Sequence, residues 1–390
     1  MNRFTVSILT LLFLMGCARE NPDNSFQNIL DEAWSFRIEE NPLFATNVGV
    51  HTANDRLPSN SQADISRRAQ FWEMILERLD ALDLNKIGEE EQINYRIFRR
   101  TVEDRIRDFK FKGYLMPLNA DSGFHIGLAR LPRRVPLQTV EDYENYIARL
   151  KGIPSYMDDH IALMREGVET GMTVPQVVLN GYNVTIETHI VDDPEESVFY
   201  GPFDDIPASV PAGEHNRLKR AGRTTVLNSA IEGYRRFLSF FQDEYYPNAR
   251  QTTGASEYPN GNAYYQYRVN HFTTLELTPE QIHNIGLGEV ERIKKEMMAV
   301  ITEVGFEGSF EEFLTFLRTD RQFYAKTPED LLKEASFIAK KMDAQLPSLF
   351  NNLPRLPYGV QAVPKHIAPK YTSGRYVGPA KGSTEPGYYW

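Results

Sequence analysis

The stretch ISRRAQFWEMILERLDAL, Ile65 to Leu82, decides the fold class, because its apolar residues recur every three or four positions. This period places them on one face of an α-helix, whereas a half-buried strand would alternate at every second residue. The members of this stripe are Ile65, Ala69, Trp72, Ile75, Leu79 and Leu82. A second stripe of helical period follows at Ile93, Ile97, Val102, Ile106 and Phe109. Both stretches predict amphipathic helices with one buried face, and the predicted fold class is mainly α.

Three later segments begin with residues that cap helix N-termini. TPEQ starts at Thr278, SFEE at Ser309 and TPED at Thr327, each with a hydroxyl residue three positions before a possible capping partner. They predict helices near 279–302, 310–318 and 328–346. The first of these helices carries an apolar stripe at Ile282, Ile285, Val290, Ile293, Met297 and Val300.

Two regions are too rich in proline for long helices. The segment 192–213 has prolines at positions 194, 202, 207 and 211, which predicts a long surface loop within a mainly helical domain, 26–346. The segment 347–390 is also broken by prolines and predicts short extended stretches. The start of another strand is expected at Tyr388 to Trp390, and the other positions expected in short extended segments are Tyr358, Val360, Ala362, Ile367, Tyr371, Tyr376 and Val377.

The N-terminus has the features of a bacterial lipoprotein signal. Arg3 precedes an apolar run, Phe4 to Met15, that is shorter than the roughly 20 helical residues needed to cross a bilayer. The run ends in Leu14-Met15-Gly16-Cys17, which resembles the lipobox in which the cysteine is lipidated. We predict a signal peptide over 1–17, lipidation at Cys17 and a tether over 18–25. The alternative is an ordinary signal peptide with an incidental cysteine.

The predicted location is the bacterial cell envelope, with the protein anchored in a membrane by its lipid. Ala18 follows the cysteine where an aspartate would favour retention at the inner membrane, so we expect the outer membrane, with the protein facing the periplasm. Cys17 is the single cysteine, which excludes disulfides and cysteine-ligated zinc from the folded part. A net charge of −10 without a basic run makes nucleic acid an unfavourable partner.

Known catalytic motifs are absent from the sequence. None of the eight histidines belongs to an HExxH pattern, and no GxSxG nucleophile elbow occurs. The densest group of polar and aromatic residues is YPNGNAYYQYRVNHFTT, Tyr258 to Thr274. Its rings, one arginine and several donors suit a ligand with apolar and polar parts, such as a peptide. The alternative is that these tyrosines pack against the core with their hydroxyls at the surface.

Three blocks of sequence resemble a known family. LTPEQIHNIGL (277–287), FLRTD (316–320) and PYGV (357–360) occur in the order found in the bacterial domain of unknown function 885 family. Its members resemble zinc-dependent metallopeptidases, especially the carboxypeptidase Taq group. The resemblance implies a large multi-helix shell around a cleft, with a few short strands in the C-terminal part. It also implies hydrolysis of peptides by a zinc-activated water.

The resemblance also implies where the functional residues lie. In the family, a segment similar to GPAKGSTEPGYYW precedes the helix with the zinc motif, and this sequence stops before it. We therefore predict no catalytic or metal-binding residue and no cofactor in this chain, with zinc expected for the intact protein. We also expect an unpaired strand edge near the C-terminus. The residues predicted to line the substrate cleft are His271, Thr273, Thr274, Tyr358 and Gly359.

Two hypotheses for the function follow. The first is that this chain is an N-terminal fragment of a membrane-anchored, metallopeptidase-like lipoprotein that acts on peptides. The second is a non-catalytic lipoprotein that binds peptide or carbohydrate through the tyrosine-rich segment. Both give the chain a ligand and a membrane as partners, and both leave the oligomeric state open.

Overall fold

The computed structural model describes residues 22–365, 367–368, 371–379 and 386–390. Cys17 and the predicted signal peptide lie outside these residues, and the first helix begins within the predicted tether. The helices are α1 (Pro22–Glu40), α2 (Pro42–Asn47), α3 (Gln62–Asp80), α4 (Glu89–Lys110), α5 (Phe124–Leu128), α6 (Val140–Lys151), α7 (Ile153–Thr170), α8 (Val184–Glu187), α9 (Gly201–Asp204), α10 (Ala212–Thr225), α11 (Glu232–Phe240), α12 (Tyr246–Asn248), α13 (Gly261–Thr273), α14 (Pro279–Glu303), α15 (Phe310–Thr319), α16 (Pro328–Asp343) and α17 (Leu346–Leu349). The prediction of a mainly α fold is confirmed. Across the described residues, no helix combines the length and the hydropathy needed to span a membrane.

A small three-stranded sheet lies near the C-terminus, as the sequence predicts. Its strands are β1 (Tyr358–Val360), β2 (Tyr376–Val377) and β3 (Gly387–Tyr389). β3 is central, parallel to β1 and antiparallel to β2. β3 therefore has a neighbour on both sides, and the edges of this sheet that are unpaired within the described residues belong to β1 and β2. Trp390 follows it and is buried, with its ring 6.3 Å from that of Tyr371.

The stripe of α3 is buried as predicted, whereas that of α4 is buried only in part. α3 and α4 pack together with α1 around a core that includes Trp72, Ile75 and Leu79. On α4, Val102 and Ile106 are buried, but Ile93 and Ile97 are 57% and 61% exposed. Those two lie outside the packed face because α4 presents Tyr95 to the core at its N-terminal end. Tyr95 also donates from its hydroxyl to the Leu79 carbonyl (3.3 Å).

The proline-rich segment 192–213 keeps its acidic residues at the surface, while its aromatic side chains are packed in the main core. Its longest helix is the four-residue α9, as the prolines require, but Phe199, Tyr200 and Phe203 are buried. Tyr146 of α6 donates from its hydroxyl to the Phe199 carbonyl at 2.7 Å. A Cβ atom at Gly222 of α10 would lie 2.6 Å from the Phe203 ring, so glycine is needed for this close packing. Burial of the aromatic rings therefore outweighs the irregular backbone.

A long helical rod crosses the core from Ala212 to Asn248. Two π-helical turns, Val226–Ile231 and Phe241–Tyr245, join α10, α11 and α12 without interrupting it. A π-turn accommodates an extra residue and thereby shifts the helix phase. Val226, Ile231, Phe237 and Phe241 all remain in the core along this rod.

The capping signals of the C-terminal helices are confirmed, whereas their apolar stripe is not buried. Thr278 and Ser309 form complete capping boxes, and the Thr327 side chain accepts from the Asp330 amide. On α14, Ile285 and Val290 are 54% and 65% exposed. Ile301 is the one residue of α14 that is described as buried. Local sequence thus determines these helices, while no described part of the chain covers their apolar faces.

Candidate functional site

A cleft is lined by residues of α3, α4, α7 and α13. It consists of two cavities of about 760 and 600 Å³. We name the larger one the His271 pocket, lined by α13 and α4, and the smaller one the arginine pocket, lined by α2 and the C-terminal part of α1. The two cavities adjoin each other, because they share the lining residues Asn60, Arg68, Trp72, Arg105 and His160.

Three contacts hold α13 against α4 and so form the wall of the His271 pocket. The Tyr267 hydroxyl donates to the Asp104 carbonyl at 3.3 Å, and Arg100 donates to the Asn270 carbonyl. The Tyr267 ring is stacked on Phe111, with 5.3 Å between the ring centroids. Since these contacts lie on successive turns of α13, they fix the face that this helix presents to the cleft.

His271 and Asp104 form a hydrogen-bonded pair inside this pocket. His271 Nδ1 donates to Asp104 Oδ2 at 3.0 Å, across the interface between α13 and α4. The other oxygen, Asp104 Oδ1, is buried with Arg107 Nη1 3.6 Å away. Because Nδ1–H donates to the carboxylate, the Nε2 atom of the neutral His271 imidazole is left as an acceptor. The pair can therefore orient an imidazole toward a bound donor.

A second carboxyl group lies one helical turn beyond this pair. Asp108 lines the same pocket together with Arg268. Burial raises the pKa of Asp108, and the positive charges of Arg268 and His271 offset only part of this effect. Asp108 thus takes up a proton more readily than an ordinary aspartate, and it can then donate as well as accept hydrogen bonds.

His160 lies where the two pockets meet. Its ring is stacked on Phe124 at 3.9 Å between centroids, and Asn60 Nδ2 donates to its Nε2 at 3.3 Å. Its Nδ1 is buried and has no hydrogen-bond partner among the described residues. Burial lowers the pKa of His160 to about 3. The ring is therefore neutral near pH 7.

The arginine pocket contains four guanidinium groups and one carboxylate. Arg37 lies over the Phe44 ring at 3.6 Å, and Arg105 lies over Trp72 at 4.7 Å. The other lining charges are Arg68, Arg134 and Glu40. The aromatic faces support the guanidinium planes from one side and leave their edges available for hydrogen bonds.

A buried arginine outside the pocket fixes its α2 wall. Arg149 of α6 is fully buried and donates to the carbonyls of Pro42 and Ala53 at 3.1 and 2.9 Å. It also donates to Thr46 Oγ1 at 2.6 Å. Burial lowers the pKa of Arg149 to about 10, so it stays charged at neutral pH. These bonds tie the segment around α2 to the main core.

Comparisons with known proteins identify the family. The family described as bacterial protein of unknown function (DUF885) matches residues 42–390. The chain belongs to the DUF885 family. A comparison with curated proteins finds no match.

Two solved structures resemble this DUF885 chain in fold. One is a candidate lipoprotein from Colwellia psychrerythraea, with a TM-score of 0.80, 20% identity and 94% of this chain covered. The other is a candidate lipoprotein of unknown function from Shewanella oneidensis, with a TM-score of 0.56, 14% identity and 94% of this chain covered. This chain spans 67% of the first protein and 63% of the second. At these identities the likeness shows the fold alone.

The cleft-lining residues predicted from the sequence lie in two different places. His271 lines the His271 pocket. On the same helix, Thr273 accepts from the Leu275 amide and donates back to the Val269 carbonyl, and Thr274 adopts a left-handed conformation at the helix end. Tyr358 and Gly359 lie in β1, where the Tyr358 hydroxyl donates to Asp343 of α16 (3.1 Å). Among the described residues, neither Tyr358 nor Gly359 lines the cleft.

Several residues of the cleft were missed by sequence reasoning. Asp104 and Asp108 are spaced by one helical turn on α4, which places two carboxylates on one face. That spacing was a signal in the sequence from which a pair of acidic site residues could have been predicted. The arginines were not recognisable in the same way, because Arg37, Arg105 and Arg134 are far apart in sequence and meet only in the folded chain.

The described residues do not fit a zinc site. Among them, no three His, Cys, Asp or Glu side chains are grouped so as to hold a metal ion. In the His271–Asp104 pair, the imidazole nitrogen nearest the carboxylate is already used as a hydrogen-bond donor. We therefore derive no metal-dependent step from these residues.

Proposed function

We propose that this DUF885 chain binds peptides in the cleft formed by the His271 and arginine pockets. The observation that carries the proposal is that the two pockets adjoin along five shared lining residues, and together they offer space for several residues of an extended ligand. The half-buried ring of Tyr114 lines the larger pocket next to donors and acceptors of both charges. Binding sites for ligands with apolar and polar parts have this composition.

The hydrolytic activity implied by the family resemblance remains a proposal about the whole protein. Zinc-dependent hydrolysis needs a metal site, and the described residues provide no such group. Our proposal for this chain is therefore confined to binding. Peptide hydrolysis in the intact protein would use the cleft to orient its substrate.

We further propose that the protein is anchored in the bacterial envelope through lipid on Cys17, at the outer membrane. The lipobox-like sequence supports this proposal, and the two solved proteins of similar fold are described as candidate lipoproteins. Labelled palmitate should be incorporated into the chain in bacterial cells, and Cys17→Ser should abolish the incorporation. Equal labelling of both forms would contradict the proposal.

Peptide binding can be tested by filling the His271 pocket. The purified chain is incubated with a mixture of short peptides, retained peptides are identified by mass spectrometry, and the best one is titrated by calorimetry. Thr101 lines the pocket from an exposed position on α4, so Thr101→Phe should block the cleft without disturbing the core. Ile97→Phe is the matched control, one turn earlier, at a position 61% exposed.

We expect Thr101→Phe to weaken peptide binding by about tenfold or more, because the added ring occupies the ligand's space. Ile97→Phe should bind as the wild type does. Retention of no peptide at all, or equal weakening by both substitutions, would contradict the proposal. Retention of soluble oligosaccharides in place of peptides would favour the carbohydrate-binding alternative.

A further inference from the structure

We propose that the arginine pocket binds the carboxylate of an acidic peptide, and so makes this half of the cleft selective for anionic ligands. This inference rests on the proposed function, since it identifies the ligand chemistry of the same cleft.

Three arginines of the pocket have no carboxylate partner. Arg37, Arg105 and Arg134 form no ion pair within the described part of the chain, although all three line one cavity. Other surface arginines do form ion pairs, for example Arg165 with Glu244 at 2.6 Å, and what distinguishes these three is that they line one cavity together. Leaving three such cations unpaired in one concave site is electrostatically unfavourable, so an anion bound among them would be stabilised.

The one acidic residue of the pocket is already neutralised from outside. Glu40 accepts two hydrogen bonds from Arg67, at 2.6 and 2.9 Å, and Arg68 lies 3.4 Å from the same carboxylate. Arg67 is not part of the pocket lining. Glu40 therefore contributes little attraction to Arg37 and Arg105, which face the cleft with their positive charge uncompensated.

The electrostatic environment agrees with this description. Desolvation inside the cleft and the charge of Arg37 lower the pKa of Arg105, and desolvation with the charge of Arg130 lowers that of Arg134. Both stay charged at neutral pH, because an arginine pKa lies far above 7. The neighbouring His160 is neutral at that pH and adds no competing charge of either sign.

A carboxylate fits the positions of these groups. Arg105 lies over Trp72 and lines both pockets, so its guanidinium stands where a ligand in the His271 pocket would continue into the arginine pocket. Guanidinium groups bind carboxylates through two parallel hydrogen bonds, and phosphate in a similar way. Phosphate is therefore the second source of the same anionic chemistry, and the experiment separates the two.

The contact between Arg105 and Trp72 supplies a direct readout. An anion that binds Arg105 changes the surroundings of Trp72, so we expect a change in tryptophan fluorescence that Trp72→Phe abolishes. The probes are two peptides of the same length that differ by Glu or Gln at one position, and inorganic phosphate alone. The test variant is Arg105→Gln, and Arg96→Gln is the matched control at an exposed position on the same helix.

We expect the wild type and Arg96→Gln to bind the Glu peptide about tenfold more tightly than the Gln peptide, and Arg105→Gln to lose this preference. If both peptides bind equally well to the wild type, or if Arg105→Gln keeps the preference, the inference is overturned while the proposed function stands. If neither peptide binds, the proposed function fails. In that case, a fluorescence response to phosphate that depends on Arg105 would still support the anion site. The absence of this response would overturn the anion site as well.

Discussion

His125 and His160 are two imidazoles that fold into surroundings with almost no water. His125 is 0% exposed and donates from Nε2 to Thr185 Oγ1 at 3.0 Å, and His160 is 8% exposed. Burial lowers the pKa of both groups, that of His160 to about 3, because the charged form loses its hydration. Both are therefore neutral in the folded chain throughout the range in which free imidazoles take up protons.

This burial predicts a loss of stability in mild acid. A histidine whose pKa is lowered by folding does not reduce the free energy of unfolding above its unfolded-state pKa of about 6.5. Below that pH, the reduction grows as the pH falls toward the pKa of the folded state. When the pH is lowered from 7 to 5, His160 alone should reduce the free energy of unfolding by about 2 kcal/mol. Urea unfolding of the wild type and His160→Asn at both pH values measures this directly. The variant should lose about 2 kcal/mol less over this interval, and equal losses would contradict the burial of a neutral His160.

Some residue-level features were predictable from the sequence and others were not. The burial of Trp72 follows from its place in a helical stripe, which depends on neighbours within a few residues. The pairing of His271 with Asp104 joins positions far apart in the chain, so no local pattern contains it. The same holds for Arg149, whose burial depends on carbonyl groups of the segment around α2.

At the scale of elements, α13 carries most of the chemistry of the cleft. It begins at Gly261, directly after Asn260, which has a left-handed conformation. Gly261 packs against the preceding 3₁₀ turn, Ala255–Glu257. A Cβ atom at Gly261 would lie 2.3 Å from the Ser256 carbonyl oxygen and 2.5 Å from that of Ala255. These are backbone atoms, so the start of α13 would have to shift to admit a side chain.

We expect Gly261→Ala to destabilise the chain by about 1 to 3 kcal/mol, because it overpacks a backbone contact. Peptide binding should weaken as well, since Tyr267 and His271 move with the helix. Gly288→Ala is the matched control, because residue 288 lies in α14 and no atom is within 4 Å of the added Cβ. Since alanine has the higher helix propensity, this variant should be more stable than the wild type by about 1 kcal/mol. Urea unfolding compares the two. An unchanged stability of Gly261→Ala would show that the start of α13 is not constrained as described.

Helix ends were predicted well because their signals are local. The caps at Thr278, Ser309 and Thr327 begin α14, α15 and α16 as expected. The burial of the α14 stripe was not predictable in this way, because burial depends on what packs against a helix. The segment 192–213 illustrates the same limit, since its prolines excluded a long helix but did not reveal that Phe199 and Phe203 belong to the core.

At the scale of the molecule, the cleft divides two packed regions. One is the core around α1, α3 and α4, and the other is the larger core built from α6, α7 and the rod of α10 to α12. Packed helices thus form the walls of the cleft, and α13 bridges to the first region through its contacts with α4. Packed walls of this kind favour a preformed site, which limits the entropy lost on binding.

The measurement that tests the central claim most directly is the calorimetric titration of a retained peptide into three forms of the chain. We expect the wild type and Ile97→Phe to bind with the same affinity, and Thr101→Phe to bind about tenfold more weakly or not at all. That result would place the ligand in the cleft between α4 and α13. Undiminished binding to a correctly folded Thr101→Phe variant would contradict the account, because the peptide would then occupy another surface.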